Sequence, residues 1–529
     1  MNSNTTEKYL WWQNGIIYQI YPRSFKDSNG DGIGDLNGII EKLDYLKWLG
    51  VTAIWISPIF PSPMADFGYD ISDYTDIHPM FGSLKDFNRL QEQVHEKGLK
   101  VILDLVPNHT SDQHPWFLES KSSKDNPKRD WYIWKDPQPD GSRPNNWKSN
   151  FGGPGWTFDE ATGQYYYHAF LKEQPDLNWR NTEVRKAVFD AMRFWLDRGV
   201  DGFRVDVIWH MIKDQNFRNN PPNPDFQEGM DEYDQLIAAY STDQPEVHEV
   251  ISEMRKVVEE YEDRLLIGEI YLPIHRLVTY YGENGSGVHL PFNFQLVRAP
   301  WDPAHLNAII NEYEGHLPPG GWPNWVLSNH DNIRIASRIG REKAVLAAVL
   351  LLTLRGTPTL YYGDELGMED VEIHQEKVQD PQGINMPGRS RDPQRTPMQW
   401  NSGVNAGFSD SEPWLPLMKN HRECNVEEER KDPESFLNLY HRLIQLRQQE
   451  PTLQIGDYIP VGLEGDLMTY KRKFKEDEFL VLINWGKEEK HYRPEKSSTI
   501  SFSTDYTSEE KQVEESLVVP PFGAIVLKF

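Results

Sequence analysis

Cysteine is almost absent: Cys424 is the only one in 529 residues. No intramolecular disulfide can form, and no disulfide framework argues for an oxidising compartment. Positive charge is scarce as well, with 55 Lys and Arg against 81 Asp and Glu and a formal net charge of −26. Such an excess repels phosphate backbones and anionic lipid surfaces, so neither nucleic acid nor a membrane is expected as a partner. Long apolar runs are missing too. The most apolar stretch, Ala344 to Leu354, is about half of the roughly 20 residues needed to span a bilayer and predicts a buried helix. The opening residues MNSNTTEKYLWWQNG lack the basic head and the apolar run of roughly 7 to 15 residues that mark a secretory signal, which predicts a cytoplasmic protein. No repeat with a period of roughly 20 to 50 residues is present.

Aromatic residues are plentiful. The 23 Phe, 24 Tyr and 18 Trp offset a hydrophobic fraction of only 38%, supplying bulky core side chains and a surplus for flat-faced ligands. The length suits about three to five domains, or one large barrel with attachments. Eight short apolar or β-branched runs alternate with helical patterns: IIYQIY from Ile16, AIWISP from Ala53, VILDLV from Val101, GFRVDV from Gly202, LLIGEI from Leu265, HLPFNF from His289, NWVLSN from Asn324 and TPTLYYG from Thr357. Eight strand-then-helix units predict an α/β fold of the (β/α)8 TIM-barrel type. Between Thr182 and Gly199, Val184, Val188, Ala191 and Trp195 recur at helical spacing; Leu84 to Gly98 and Glu434 to Glu450 read the same way.

Two stretches break the alternation. Residues 105–173, rich in Pro, Gly, Asn, Trp and Tyr, are too long for a structureless connection and predict a domain inserted after the third strand. A second insertion follows the eighth strand, between Gly363 and Pro433. Beyond Gly456, runs such as LMTYKRKF, EFLVLINW and GAIVLKF predict an all-β sandwich over 456–529, leaving 1–104 and 174–455 for the barrel.

Barrel active sites lie at the carboxyl ends of the strands. There the chain places Asp104, Asn108 and His109 after strand three, Arg204 and Asp206 on strand four, Glu269 on strand five, and Asn329, His330 and Asp331 after strand seven. A single Asp at such an end is at least as often a salt-bridge or capping residue. Carboxylates from separate strands converging on one rim repel one another, a cost that points to chemistry, and the mixture suits cleavage of a glycosidic bond.

The runs DLVPNHTS, GFRVDV, IGEI and SNHD resemble, in order, the four sequence regions of the α-amylase family of glycoside hydrolases. QPDLN from Gln174 is similar to the signature of its oligo-1,6-glucosidase branch, and MADFGYDISDY resembles the α-glucosidase pocket sequence. The matches span residue 11 to about residue 400. The resemblance implies a catalytic barrel (domain A), an inserted domain B and a β-sandwich domain C. It also implies a retaining, exo-acting α-glucosidase that takes short oligosaccharides or glucosides with α-1,4 and α-1,6 bonds and uses no organic cofactor. By position, Asp206 resembles the nucleophile, Glu269 the general acid/base and Asp331 the transition-state stabiliser. Asp66, Tyr69, His109, His330 and Arg391 resemble the groups that hold the terminal glucose, and Arg204 the residue that keeps the nucleophile ionised. Phe151 and Phe170 are candidate pocket walls or plain packing. Val207, directly after the nucleophile, resembles the branch members that tolerate α-1,6 bonds. The family's transglucosylases and sucrose isomerases share this machinery, so transfer is the alternative activity. A catalytically silent binding protein of the same fold would lack the carboxylates and carry a membrane span. One departure stands after SNHD, where Asn332, Ile333 and Arg334 replace the usual Gln-Pro-Arg type continuation.

DSNGDGIGD sets Asp27, Asn29 and Asp31 at alternating positions, imitating the start of an EF-hand loop. The twelfth position is Gly38, and no helix is expected before it, so it is not one. An Asx-rich turn is the plain reading. Resemblance to the α-glucosidase branch implies a structural Ca²⁺ or Mg²⁺ held by Asp27, Asn29, Asp31, Asp35 and the Ile33 carbonyl.

Overall fold

A computed structural model describes residues 9–529; the first eight residues of the N-terminal stretch discussed above lie outside it. All eight expected strands form: β1 (Ile17–Ile20), β2 (Ala53–Ile56), β3 (Lys100–Leu105), β4 (Gly202–Val205), β5 (Leu265–Ile270), β6 (Leu290–Asn293), β7 (Asn324–Val326) and β8 (Thr357–Tyr361). Their parallel ladder runs β7-β8-β1-β2-β3-β4-β5-β6, and the two ends, β6 and β7, lie against each other. The result is a nearly closed barrel. Its strands read as continuous apolar runs because both faces are covered, one by the barrel interior and one by helices. Gly202 is required where β4 meets β5, since a Cβ there would sit 2.4 Å from the Leu265 carbonyl oxygen.

Outer helices form where a cap and an apolar stripe coincide. Ser83 and Asp86 make a reciprocal capping box at the start of α1 (Leu84–Glu96), which buries Phe87, Leu90 and Val94. Asn181 caps α2 (Thr182–Leu196), whose buried face is the expected Val184, Val188, Ala191 and Trp195 together with Met192. The apolar stretch near residue 350 is α3 (Arg341–Thr353), buried along Leu346–Thr353 between helix α4 (Phe436–Gln449) and the C-terminal sheet. Among the described residues no helix is long and apolar enough to cross a membrane.

Between β3 and β4 the chain builds a three-stranded antiparallel sheet from Trp134–Lys135, Trp156–Asp159 and Gln164–Tyr167. Its small core contains Ile133, Trp147, Trp156 and Tyr167. The C-terminal region is a six-stranded antiparallel sheet spanning Asp457 to Lys528, plus a separate strand pair. In its strand Asp477–Asn484, Phe479, Val481 and Ile483 join the main core while Leu480 and Leu482 pack in a second cluster with Ile525 and Leu527. That period of two is the mark of a sheet covered on both sides.

Candidate active site

Strand register places the first charged contacts. Asp104 on β3 pairs with Arg204 on β4, and Glu269 lies near the end of β5. Arg204 is fully buried and ties three strands together. Its Nη1 donates to Asp104 Oδ1 at 2.9 Å and to Asp206 Oδ1 at 2.7 Å, and its Nη2 lies 2.8 Å from Glu269 Oε2. Val207 then turns the chain in the left-handed region, φ 36°, which is strained for a β-branched residue. The turn aims the Val207 N–H at Glu269 Oε2, 2.8 Å away.

Burial pushes the Asp206 and Glu269 carboxyls up, and the charge on Glu269 raises Asp206 further, while Arg204 opposes the rise at both. Two acids held this close around one guanidinium titrate as a pair. Glu269 Oε2 faces both Arg204 and the Val207 N–H.

Asp331 differs from both. Burial works to raise its pKa, but His330, Arg391, Arg395 and Arg204 outweigh burial and hold it well below the usual carboxylate range. Arg391 Nη1 lies 3.1 Å and Arg395 Nη2 2.9 Å from Asp331 Oδ1. Arg391 also reaches Asp66 Oδ1 at 2.6 Å and is braced from behind by Asp380 at 2.6 Å. Gln174 Nε2 bonds Asp66 Oδ2, the Tyr69 carbonyl and His109 Nε2 at 3.1–3.3 Å. Burial lowers His109 to about 4, so its ring is neutral at physiological pH.

These groups line one cavity of about 600 Å³. Asp66, Tyr69, His109, Phe151, Phe170, Asp206, Val207, Glu269, Asp331 and Arg391 all face it. Arg204 and His330 lie behind, fully buried against those groups. Phe151 packs under the Arg391 guanidinium, 4.8 Å from carbon to ring centroid, and Phe170 stands 5.4 Å from the His109 ring; both are walls. The altered sequence after Asp331 divides in role: Asn332 lines the cavity and donates to Tyr271 Oη at 3.0 Å, whereas Arg334 is buried on the Tyr362 carbonyl.

Several lining or bracing residues carried no sequence signal of their own. Trp209, Tyr233, Tyr271 and Arg298 also line the cavity, and Arg298 stacks on Tyr271 at 4.4 Å. Arg395 and Asp380 stand beside Arg391, in SRDPQRTPMQW and just before it, and that stretch is where a second cation could have been sought. A further pair lies behind the cavity. Lys213, fully buried, sits 2.5 Å from Asp176 Oδ2 and donates to Asn108 Oδ1 at 2.8 Å, while Asp176 Oδ1 accepts the Ala169 N–H.

The Asp27 loop lies apart from these groups. Asp27 accepts the N–H groups of Asn29, Gly30 and Gly32 and the Ser409 hydroxyl. Asn29 and Asp31 each accept the N–H two residues on, a run of Asx turns. Asp35 caps the next helix through Gly38 N and also holds Ser28. Among the described residues no three His, Cys, Asp or Glu side chains are gathered to hold a metal ion. The oxygen donors of Asn29, Asp31 and the Ile33 carbonyl are nonetheless of the kind that suits a hard divalent cation.

Comparison with known proteins follows the same outline. The alpha-amylase catalytic-domain family model matches residues 19–456. An oligo-1,6-glucosidase of Parageobacillus thermoglucosidasius is 40% identical over 524 residues, covering 92% of each chain. Among solved structures, an alpha-glucosyl transfer enzyme superposes with a TM-score of 0.93 at 38% identity, covering 98% of this chain and 100% of that one. A trehalulose synthase variant superposes with a TM-score of 0.91 at 34% identity, covering 98% and 100%.

Proposed function

The chain belongs to the alpha-amylase family, and on that footing we propose that it is a retaining α-glucosidase, releasing terminal glucose from short α-glucosides with α-1,4 or α-1,6 bonds. The observation that carries this reading is the Arg204 guanidinium shared by Asp206 and Glu269, two acids that line one cavity with the paired Asp66 and Arg391. In the reaction, Asp206 attacks the anomeric carbon while Glu269 passes its proton to the departing oxygen. A glycosyl ester of Asp206 forms and the aglycone leaves. Glu269, now ionised, takes a proton from water, which opens the ester and restores the original configuration. Asp331, kept ionised by its arginines, faces the positive charge that develops on the ring. Arg391 and Asp66 hold the non-reducing hydroxyls, Tyr69 stacks on the ring and His109 bonds a hydroxyl.

Val207 stands beside the bond to be cut in this reading, and a methyl there in place of a hydroxyl changes aglycone preference by about 1 to 3 kcal/mol. That supports tolerance of both linkages. The same ester can pass glucose to a sugar instead of water, and the similar structure of an alpha-glucosyl transfer enzyme is named for such transfer. The test is product analysis on maltose, isomaltose, sucrose, trehalose and soluble starch, with the first-formed anomer read by NMR. We expect α-glucose from maltose and isomaltose and little from starch. First-formed β-glucose, or internal maltooligosaccharides from starch at rates comparable with maltose, would overturn the reading. Conversion of sucrose into an isomeric disaccharide would replace hydrolysis by transfer.

The same reading includes a structural Ca²⁺ or Mg²⁺ at the Asp27 loop, with Asp27, Asn29, Asp31, Asp35 and the Ile33 carbonyl as its holders. It also places the protein in the cytoplasm, supported by its lone, buried Cys424. Because the loop is apart from the carboxylates, a cation there stabilises the fold without entering the chemistry. Chelator is expected to lower the melting temperature and leave initial rates nearly unchanged. Unaltered melting, with no metal in elemental analysis, removes the cation.

A further inference from the structure

The polar contacts around His330 favour one arrangement. His330 Nε2 lies 3.2 Å from Asp331 Oδ2 in a charge contact, where a bare nitrogen lone pair facing an ionised carboxylate would be repelled. The same nitrogen lies 2.6 Å from Tyr69 Oη. That hydroxyl gives its own hydrogen to Asp104 Oδ2 at 3.1 Å, so it too accepts from the ring. Nε2 therefore carries a hydrogen. Burial pushes His330 down to about 3, with Arg395, Arg204 and Arg391 acting in the same sense and Asp331 against them; the ring is neutral and has a single N–H. The other nitrogen, Nδ1, must accept.

Among the described residues the only group at hydrogen-bond distance from Nδ1 is Gln19 Nε2, at 2.8 Å. Gln19 is the third residue of β1, fully buried, with neighbours Trp55 and Tyr361 in register on the flanking strands. Its second amide hydrogen goes to Ser57 Oγ at 3.3 Å, and its Oε1 has no partner among the described residues. An amide turned the other way would set an acceptor against an acceptor. The ring has no freedom to escape, lying between Tyr21 and Tyr69 with centroid separations of 5.8 and 5.3 Å.

We propose that Gln19 is a positioning residue that fixes His330 in its Nε2–H tautomer, keeping its hydrogen on the side of Asp331 and Tyr69, the two groups through which it acts on the glucose pocket. The effect on catalysis rests on the glucosidase reading; the tautomer itself does not. The experiment uses full-length protein labelled with ¹⁵N-histidine, with the His330 resonances identified by their loss in His330→Asn. Wild type is expected to show hydrogen on Nε2 and a bare Nδ1. In Gln19→Glu the new carboxylate demands a hydrogen at Nδ1, so that nitrogen should become protonated and kcat/KM on maltose should fall about 10²-fold. In Gln19→Leu the donor is lost without a new charge, and both tautomers should appear with a fall of about 10-fold. A merely structural glutamine would lower the melting temperature without moving Nδ1. Hydrogen on Nδ1 in the wild type overturns the proposal, as does a wild-type tautomer in both variants. Inactivity of the wild type on every α-glucoside would instead overturn the glucosidase reading and leave the tautomer result standing.

Discussion

Replacing Asp206 by asparagine is expected to lower turnover at least about 10⁴-fold, because an amide cannot form the glycosyl ester. The fold should survive. Arg204 keeps Asp104 and Glu269 as neighbours at 2.9 and 2.8 Å, so its guanidinium is not left alone in the barrel, and the Asp66–Arg391 pair is untouched. Substrate affinity should change little, since the glucose-holding groups stay in place. Residual turnover near wild type would show that another group attacks the anomeric carbon. Parallel measurement of maltose binding by calorimetry separates lost chemistry from lost binding.

Glu269→Gln is expected to lose at least about 10²-fold on maltose, and much less on aryl glucosides whose leaving group needs no proton. Its pH profile should change in a defined way. On the proposed mechanism, activity in the wild type requires one proton on the Asp206–Glu269 pair. At low pH both acids are protonated and the nucleophile is silent; at high pH both are ionised and the donor is spent. Both pKa values are raised by burial, which shifts both limbs upward from those of free carboxyls. In the glutamine variant no donor remains to titrate, so the alkaline limb should disappear. Equal losses on maltose and aryl glucosides would remove the proton-donor role.

The barrel was legible because strands covered on both faces leave unbroken apolar runs, and α2 because its cap and stripe agree. The inserted sheet was legible only as a break in the pattern: its strands are two to four residues long and too short to show a period. The carboxylates stood out because charge at a strand end is costly, whereas Gln19, a neutral side chain inside β1, leaves no such mark. Trp209 and Tyr271 look like core residues in sequence, since an aromatic facing a cavity and one facing another side chain are written identically. Arg395 and Asp380 required the path of the second insertion, which consists of short turns without periodicity.

The buried Lys213–Asp176 pair sets terms for anyone who would exchange parts between relatives. A graft cut at residue 173 carries Phe151 and Phe170 but leaves behind Gln174, which steadies Asp66 and His109, and Asp176, which receives the Lys213 ammonium. A transplanted segment joined to a host lacking either partner would strand a charge out of water, a defect of about 3 to 5 kcal/mol. The transferable unit therefore reaches from Asn108 through Asn178 and includes Lys213 from the far side of β4. The pocket walls of this scaffold form a discontinuous cassette, and loop-swapping by sequence boundaries alone would test stability before it tested preference.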